Sequence, residues 1–158
     1  MTYLTDIQTR ISQIWPQLSG GDGEWTVKTF KALEEIGHAH NFEVRYSDKV
    51  NDRSEWLWDF VWLSRKFEGG PLIGLELAVE SEWTLRNVDY DFDKLLVAPA
   101  PIRLMIFQAP SFGEFERKAD ALHDRAMHCV SARGATFLLA GWIYESRAQR
   151  PEFRSWIV

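Results

Sequence analysis

Residues 72–83 alternate between apolar and other side chains, and this pattern limits the fold more than any other segment of the chain. One face is predicted to carry Ile73, Leu75, Leu77 and Val79. The opposite face is predicted to carry Gly74, Glu76, Ala78, Glu80 and Glu82. A period of two predicts a long β-strand, because successive side chains of a strand point to opposite sides. The chain must therefore build a sheet around this strand.

Patterns elsewhere predict the elements that surround this strand. Helical spacing predicts helices over residues 4–18, 25–40 and 91–97, the first with a capping box at Thr5 and Gln8. A fourth helix is predicted to begin at the capping box of Ser111 and Glu114 and to end at Gly134. Further strands are predicted over residues 42–46, 56–63, 103–108 and 136–144, with a glycine-rich loop at 19–23 and turns at 47–54 and 69–71.

This order of elements predicts an α/β fold, or α+β in looser usage, in which helices flank a mixed central sheet. The length of 158 residues predicts a single domain over residues 1–158. Its parts are an N-terminal helix over 1–18, a core over 25–144 and a C-terminal edge segment over 145–158.

Charge and composition narrow the function classes. The net charge is −5, divided into −7 over residues 1–100 and +2 over residues 101–158. This balance excludes a generic basic coat for nucleic acid. The arginines and lysines at 103, 117, 118, 125, 133, 147, 150 and 154 predict either a local phosphate-tracking surface or a solvated face. A single cysteine excludes an intrachain disulfide, and with neither a signal peptide nor an apolar span, a cytoplasmic protein without a membrane partner is expected.

Three carboxylates form the candidate site. Asp59 lies within an apolar, aromatic segment, where a carboxylate is costly to bury unless it is paired or binds a metal. Glu80 and Glu82 share one face of their strand, and a hairpin turn at residues 69–70 places Asp59 across from Glu80. A hard divalent cation, Mg²⁺ or Mn²⁺, would relieve the repulsion between these groups and could activate water. The alternative is that the glutamates form the wet face of an antiparallel strand.

Asp59, the segment LELAVESEW at 75–83 and the segment DFDKLL at 91–96 together resemble the PD-(D/E)xK nuclease superfamily, in particular its BamHI/BglII-type branch. The resemblance covers about residues 56–108. It implies a restriction-endonuclease-like sheet and Mg²⁺-dependent hydrolysis of DNA phosphodiester bonds, with Asp59 and Glu80 as metal ligands. Glu82 stands where the motif usually has lysine and would position or polarise the attacking water, and Trp58 stands where the motif has proline.

The resemblance adds two further candidate residues. Lys94 would replace the missing lysine and contact the scissile phosphate or the attacking water; otherwise it is a surface lysine. Glu34, on the first core helix, would supply a further metal-binding acid; otherwise it is a surface glutamate. The tryptophans at 56, 58 and 62 form either a stacking platform for single-stranded nucleic acid or part of the core.

Three functions from different classes follow. The first is a metal-dependent endonuclease acting on DNA, for which a homodimer is expected because restriction enzymes of this kind usually dimerise. The second is a catalytically inactive protein of the same fold that acts as a binding or scaffolding module. The third is an unrelated immunity or adaptor protein, for which Asp59 and Glu80 would lie far apart.

Overall fold

The computed structural model describes residues 2–46, 57–145 and 150–158. The helices are α1 (Thr2–Ile14), α2 (Asp22–Ala39), α3 (Val88–Leu96) and α4 (Phe112–His128). The strands are β1 (Glu43–Tyr46), β2 (Phe60–Arg65), β3 (Leu72–Glu82), β4 (Ile102–Ala109), β5 (Thr136–Ile143) and β6 (Pro151–Ile157). The predicted turn at 47–54 and Trp56 lie outside the described residues.

The described strands form one mixed sheet in the order β1-β2-β3-β4-β5-β6. Strands β1, β2 and β3 pair antiparallel, β3, β4 and β5 pair parallel, and β6 returns antiparallel to β5. The parallel pairs require crossover connections, which α3 and α4 provide. The predicted α/β fold with a mixed sheet is confirmed, and so is the predicted last edge strand.

A hydrophobic core lies on each face of the sheet. Helices α1 and α2 cover one face, where Trp15, Leu33 and Phe60 are buried. Helices α3 and α4 cover the other face, where Phe92 and Phe115 are buried. Each strand therefore sends alternate side chains into two separate apolar layers. Among the helices of the described residues, none combines the length and the apolar character that crossing a bilayer requires.

The alternation of β3 is interrupted at Glu76. Trp62 pairs with Leu77, whereas the next residue, Leu63, pairs with Leu75, so that Glu76 is an extra residue in β3. A bulge of this kind reverses the side-chain alternation on either side of it. Leu75 packs in the α3/α4 core and Leu77 in the α1/α2 core, so the prediction that they share one face is wrong.

Several predicted boundaries also change. Thr5 lies inside α1, so the predicted capping box there is wrong, whereas Ser111 caps α4 by accepting a hydrogen bond from the Glu114 backbone N–H at 3.2 Å. Helix α1 ends at Ile14 rather than at residue 18, just before Pro16, which has no backbone N–H for the helix, and α4 ends at His128 rather than near Gly134. The strand predicted from residue 56 begins only at Phe60, which leaves Asp59 in the bend that precedes β2.

Candidate active site

Glu80 is a carboxylate with no exposed surface, on the α3/α4 side of β3. Its Oε2 accepts a hydrogen bond from the Lys94 Nζ of α3 at 2.6 Å. Its Oε1 is also buried and meets no hydrogen-bond donor within the described part of the chain. A buried carboxylate oxygen without a donor is costly, so the hydrogen bonds of the described residues leave Glu80 incompletely satisfied.

Two opposing effects determine the charge of Glu80. Burial and the negative charge of nearby Asp59 raise the pKa of Glu80 to about 8, against the hydrogen bond from Lys94, which lowers it. Burial also lowers the pKa of Lys94, but the hydrogen bond to Glu80 and the surrounding carboxylates outweigh this effect and leave it raised. Glu80 and Lys94 therefore both hold their protons more tightly than the free side chains do.

Asp59 lies next to Glu80 across the β2–β3 hairpin. Phe60 pairs with Val79, and continuing this register by one residue sets Asp59 across from Glu80, as predicted. The Asp59 Oδ2 accepts a hydrogen bond from the backbone N–H of Ser81 at 2.9 Å. This bond fixes the carboxylate of Asp59 beside the carboxyl-terminal end of β3.

Helix α3 supplies the positive charge of the site. The Lys94 Nζ also lies 3.5 Å from Asp91 Oδ1, one turn earlier on the helix. The backbone oxygen of Lys94 accepts a hydrogen bond from the indole N–H of Trp58 at 3.2 Å. The Lys94 side chain is 36% exposed, so its ammonium can be reached from solvent while it contacts Glu80. Lys94 is therefore part of the carboxylate cluster and not a plain surface lysine.

Sequence reasoning did not single out Asp91. The signal that could have identified it is the spacing of three residues between Asp91 and Lys94, since side chains three apart on a helix are neighbours. Asp91 belongs to the segment that carries the resemblance, but nothing in the sequence pattern indicates that its carboxylate lies near Glu80. Its carboxylate raises the pKa of both Glu80 and Lys94.

The hydrogen bonds that the structure shows for Glu82 and Glu34 are to residues other than Asp59, Glu80 and Lys94. The Glu82 Oε1 accepts a hydrogen bond from the Thr84 backbone N–H at 2.6 Å, immediately after the end of β3. Glu34 belongs to α2, which packs on the opposite face of the sheet, and its Oε2 accepts a hydrogen bond from the Tyr46 hydroxyl at 2.9 Å. Among the described residues, no group of three or more acidic, histidine or cysteine side chains could hold a metal ion together. The structure therefore does not bring Glu34 to Asp59 and Glu80 as a third ligand.

The predicted stacking platform is not formed by the tryptophans that the structure describes. Trp58 packs in the α3/α4 core and Trp62 in the α1/α2 core, on opposite faces of the sheet. Both indole nitrogens donate to backbone oxygens, Trp58 to Lys94 and Trp62 to Leu33. Core packing is therefore the role of these two rings.

The residues present fit a hard divalent cation. Mg²⁺ is usually bound through one or two carboxylates, with waters and substrate phosphates completing its shell. Asp59 and Glu80 supply the two carboxylates, and the buried Glu80 Oε1 is an acceptor without a donor among the residues described. Asp59 and Glu80 are therefore the residues that would hold such an ion, with water and a phosphate as its other ligands.

Comparison with protein-family models, with curated proteins and with solved structures gave no match to this chain. Membership of a family therefore adds nothing to the interpretation of Asp59, Glu80 and Lys94. The roles of these residues depend on their own geometry, burial and charge. The chain is a mixed α/β protein in which a buried glutamate of β3 pairs with a partly exposed lysine of α3.

Proposed function

We propose that this protein is a metal-dependent endonuclease that hydrolyses DNA phosphodiester bonds, with Asp59 and Glu80 as the ligands of Mg²⁺ or Mn²⁺. The observation that carries this proposal is the buried Glu80 Oε1, which finds no donor among the described residues, beside a second carboxylate that is already oriented. When bound, the metal would lower the pKa of a coordinated water and stabilise negative charge on the phosphate.

Each residue then has a defined task. Asp59 is held in place by the Ser81 N–H, so little of its freedom is lost on binding. Lys94 is within reach of solvent and would exchange Glu80 for the scissile phosphate, where its ammonium would offset developing negative charge. Glu82, anchored through the Thr84 N–H, would orient the attacking water through its second carboxylate oxygen.

The arginines outside the site are expected to attract DNA only weakly over long distances. Arg117 pairs with Glu114, Arg125 with Asp93, and Arg154 with Glu116 and Asp120. Because these arginines are already neutralised by acids, they offer little free charge to the phosphates of DNA. We therefore expect DNA binding with a weak dependence on salt, since few counterions would be released. A homodimer, which would bring two sites to one duplex, stays a prediction.

The test is cleavage of supercoiled plasmid DNA by the purified full chain with Mg²⁺ or Mn²⁺. We expect cleavage by the wild type and its loss in Asp59→Asn and Glu80→Gln, each of which replaces a carboxyl group that can ionise and bind a metal with an amide of almost the same shape. Asp93→Asn is the matched control, because Asp93 lies on α3 but pairs with Arg125 at the surface. Cleavage that persists in both site variants, or a wild type inactive on DNA and RNA, would overturn the proposal.

A second candidate function is that of a binding or scaffolding module without catalysis. The observation in its favour is the Lys94 ammonium, which already pairs with Glu80 and supplies a positive charge without any metal. In that case the wild type would neither bind Mn²⁺ in a calorimeter nor cleave nucleic acid. In urea unfolding, Lys94→Met would then lower the stability of the protein, whereas added Mn²⁺ would leave the stability of the wild type unchanged.

A further inference from the structure

Strand β6 forms one edge of the sheet. Among the described strands it pairs with β5 alone, over 7 residues and without a register shift. The strand at the other edge, β1, has only 4 residues. Proteins protect the edges of their sheets with short strands, bulges or lysines, because an open edge pairs readily with another strand. Strand β6 is long, regular and without lysine, so its edge is open to a further strand.

The main-chain groups of alternate residues of β6 face this open edge. The Val158 N–H donates to the Ala135 backbone oxygen at 3.1 Å, so Val158 faces β5. Along an antiparallel strand, successive residues point their main-chain groups toward the neighbouring strand and away from it by turns. The N–H groups of Phe153, Ser155 and Ile157 therefore point outward, where no described strand pairs with them. An added strand would find these donors ready to bind.

The charges of β6 indicate which strand fits the edge. Glu152 and Arg154 flank Phe153 and lie on the α3/α4 side, where the Arg154 Nη1 donates to the Glu116 Oε2 of α4 at 2.6 Å. If two copies of β6 pair antiparallel about Phe153, Glu152 of each copy lies opposite Arg154 of the other. These are positions without main-chain hydrogen bonds, at which opposite Cα atoms are about 4.5 Å apart. Opposite charges at such positions stabilise a strand pair.

The register centred on Phe153 is the one that gives both charges an opposite partner. Centring the strand pair on Glu152 or on Arg154 would set like charges opposite each other, which destabilises a sheet. Centring it on Ser155 would leave both charged residues opposite uncharged ones. A strand in which an acid and a base flank one residue in this way is complementary to itself, so the partner that fits it is a second copy.

The same register joins the outward main-chain groups. The two Phe153 residues would exchange hydrogen bonds, and the Ser155 N–H of each copy would donate to the Pro151 oxygen of the other. Pro151 has no N–H, but it is the first residue of β6, a position at which a sheet accepts proline. Main-chain hydrogen bonds and symmetric ion pairs would therefore link the two copies.

We propose that this protein forms a two-fold dimer in which two β6 strands pair antiparallel about Phe153 and join the two sheets into one. The interface is isologous, since the same strand contributes to it from both copies. The inference assigns a surface to the expected homodimer, and it does not rest on the nuclease proposal. Strands β4 and β5 separate β6 from β3, and β6 contains none of Asp59, Glu80 and Lys94.

The test is sedimentation equilibrium of the full chain, without metal or DNA. One strand pair is a small interface, so we expect a reversible dimer with a dissociation constant of the order of 100 µM. Glu152→Arg and Arg154→Glu should each weaken the dimer by about tenfold, because two symmetric pairs change from attractive to repulsive. Arg125→Glu is the matched control, since Arg125 is as exposed as Arg154, 43% against 42%, but pairs with Asp93 of α3.

Mixing the two charge variants separates an interface effect from damage to the fold. The Glu152→Arg chain is positive at both positions and the Arg154→Glu chain is negative at both, so an equimolar mixture should dimerise about as well as the wild type. Ser155→Pro tests the same edge without a change in charge and should weaken the dimer while leaving the stability of the monomer unchanged. A wild type that stays monomeric at about 1 mM, charge variants that dimerise like the wild type, or no recovery on mixing would overturn the proposal.

Discussion

Arg103 and Glu80 are two buried ionisable residues on the same face of the sheet, with exposures of 3% and 0%. Their surroundings differ. Arg103 donates to four backbone oxygens, those of Leu95, Leu96, Ala100 and Ser131, at 2.8–3.1 Å. Glu80 has one ion pair, and its second oxygen meets no donor in the part of the chain that the structure describes. We therefore assign Arg103 a structural role, and we propose that the unpaired oxygen of Glu80 takes a ligand.

The two residues are connected through α3. The carbonyls of Leu95 and Leu96 lie at the end of this helix, where a positive charge is favourable. Lys94, the preceding residue, extends its ammonium to Glu80. Arg103 therefore fixes the helix end from which Lys94 reaches the site. Burial lowers the pKa of the Arg103 guanidinium, and the four carbonyls compensate for its lost hydration.

The largest effect is expected for Arg103→Met, which tests whether Arg103 is structural. The change leaves four carbonyls without their donor, and we expect the free energy of unfolding to fall by about 3–5 kcal/mol, as when a buried charged partner is removed. Urea unfolding measures this. The control is Arg125→Met, whose exposed pair with Asp93 should contribute less than about 1 kcal/mol. Equal losses in the two variants would contradict the assignment.

The next largest effect is expected in the pH dependence of stability, which tests whether folding raises the pKa of Glu80. The pKa of Glu80 is raised from 4.5 to about 8 in the folded protein, so the folded state keeps this proton to a higher pH than the unfolded chain. The stability that Glu80 contributes is therefore complete below the unfolded pKa and is lost as pH rises through the folded pKa. The slope reaches up to about 1.4 kcal/mol per pH unit.

Glu80→Gln removes this titration while keeping the shape of the side chain. We expect its stability to vary less with pH than that of the wild type between the two pKa values, as followed by urea unfolding at a series of pH values. Asp93→Asn serves again as the control and should retain the slope of the wild type. A Glu80→Gln slope equal to that of the wild type would show that Glu80 titrates normally.

The smallest effect is expected for Lys94→Met. Lys94 is 36% exposed, so solvent screens its pair with Glu80, and we expect a loss of about 1 kcal/mol above the pKa of Glu80. The loss should shrink at acidic pH, where Glu80 is protonated and has no charge to pair. A double-mutant cycle with Glu80→Gln measures the coupling, and a coupling that is equal at both pH values would contradict the ion pair.

The sequence predicted the neighbourhood of Glu80 but not that of Arg103. A hairpin turn at Gly69 and Gly70 predicts that Asp59 lies across from Glu80, and the pairing of Phe60 with Val79 agrees with this, although two register shifts separate that pair from the turn. Arg103 was expected at a surface because arginine is rarely buried, and its four acceptors come from separate loops and a helix end that only the fold brings together. The bulge at Glu76 was missed because β3 alternates regularly in sequence and the irregularity lies in its pairing with β2.

Metal binding by Asp59 and Glu80 is tested most directly by calorimetric titration of the full chain with Mn²⁺ at neutral pH. The account predicts saturable binding of Mn²⁺ by the wild type. It also predicts release of a proton, since burial keeps Glu80 protonated until a cation replaces that proton. Heats in two buffers of different ionisation enthalpy detect the proton, and Glu80→Gln should lose both binding and release. No binding by the wild type, or undiminished binding by Glu80→Gln, would contradict the account.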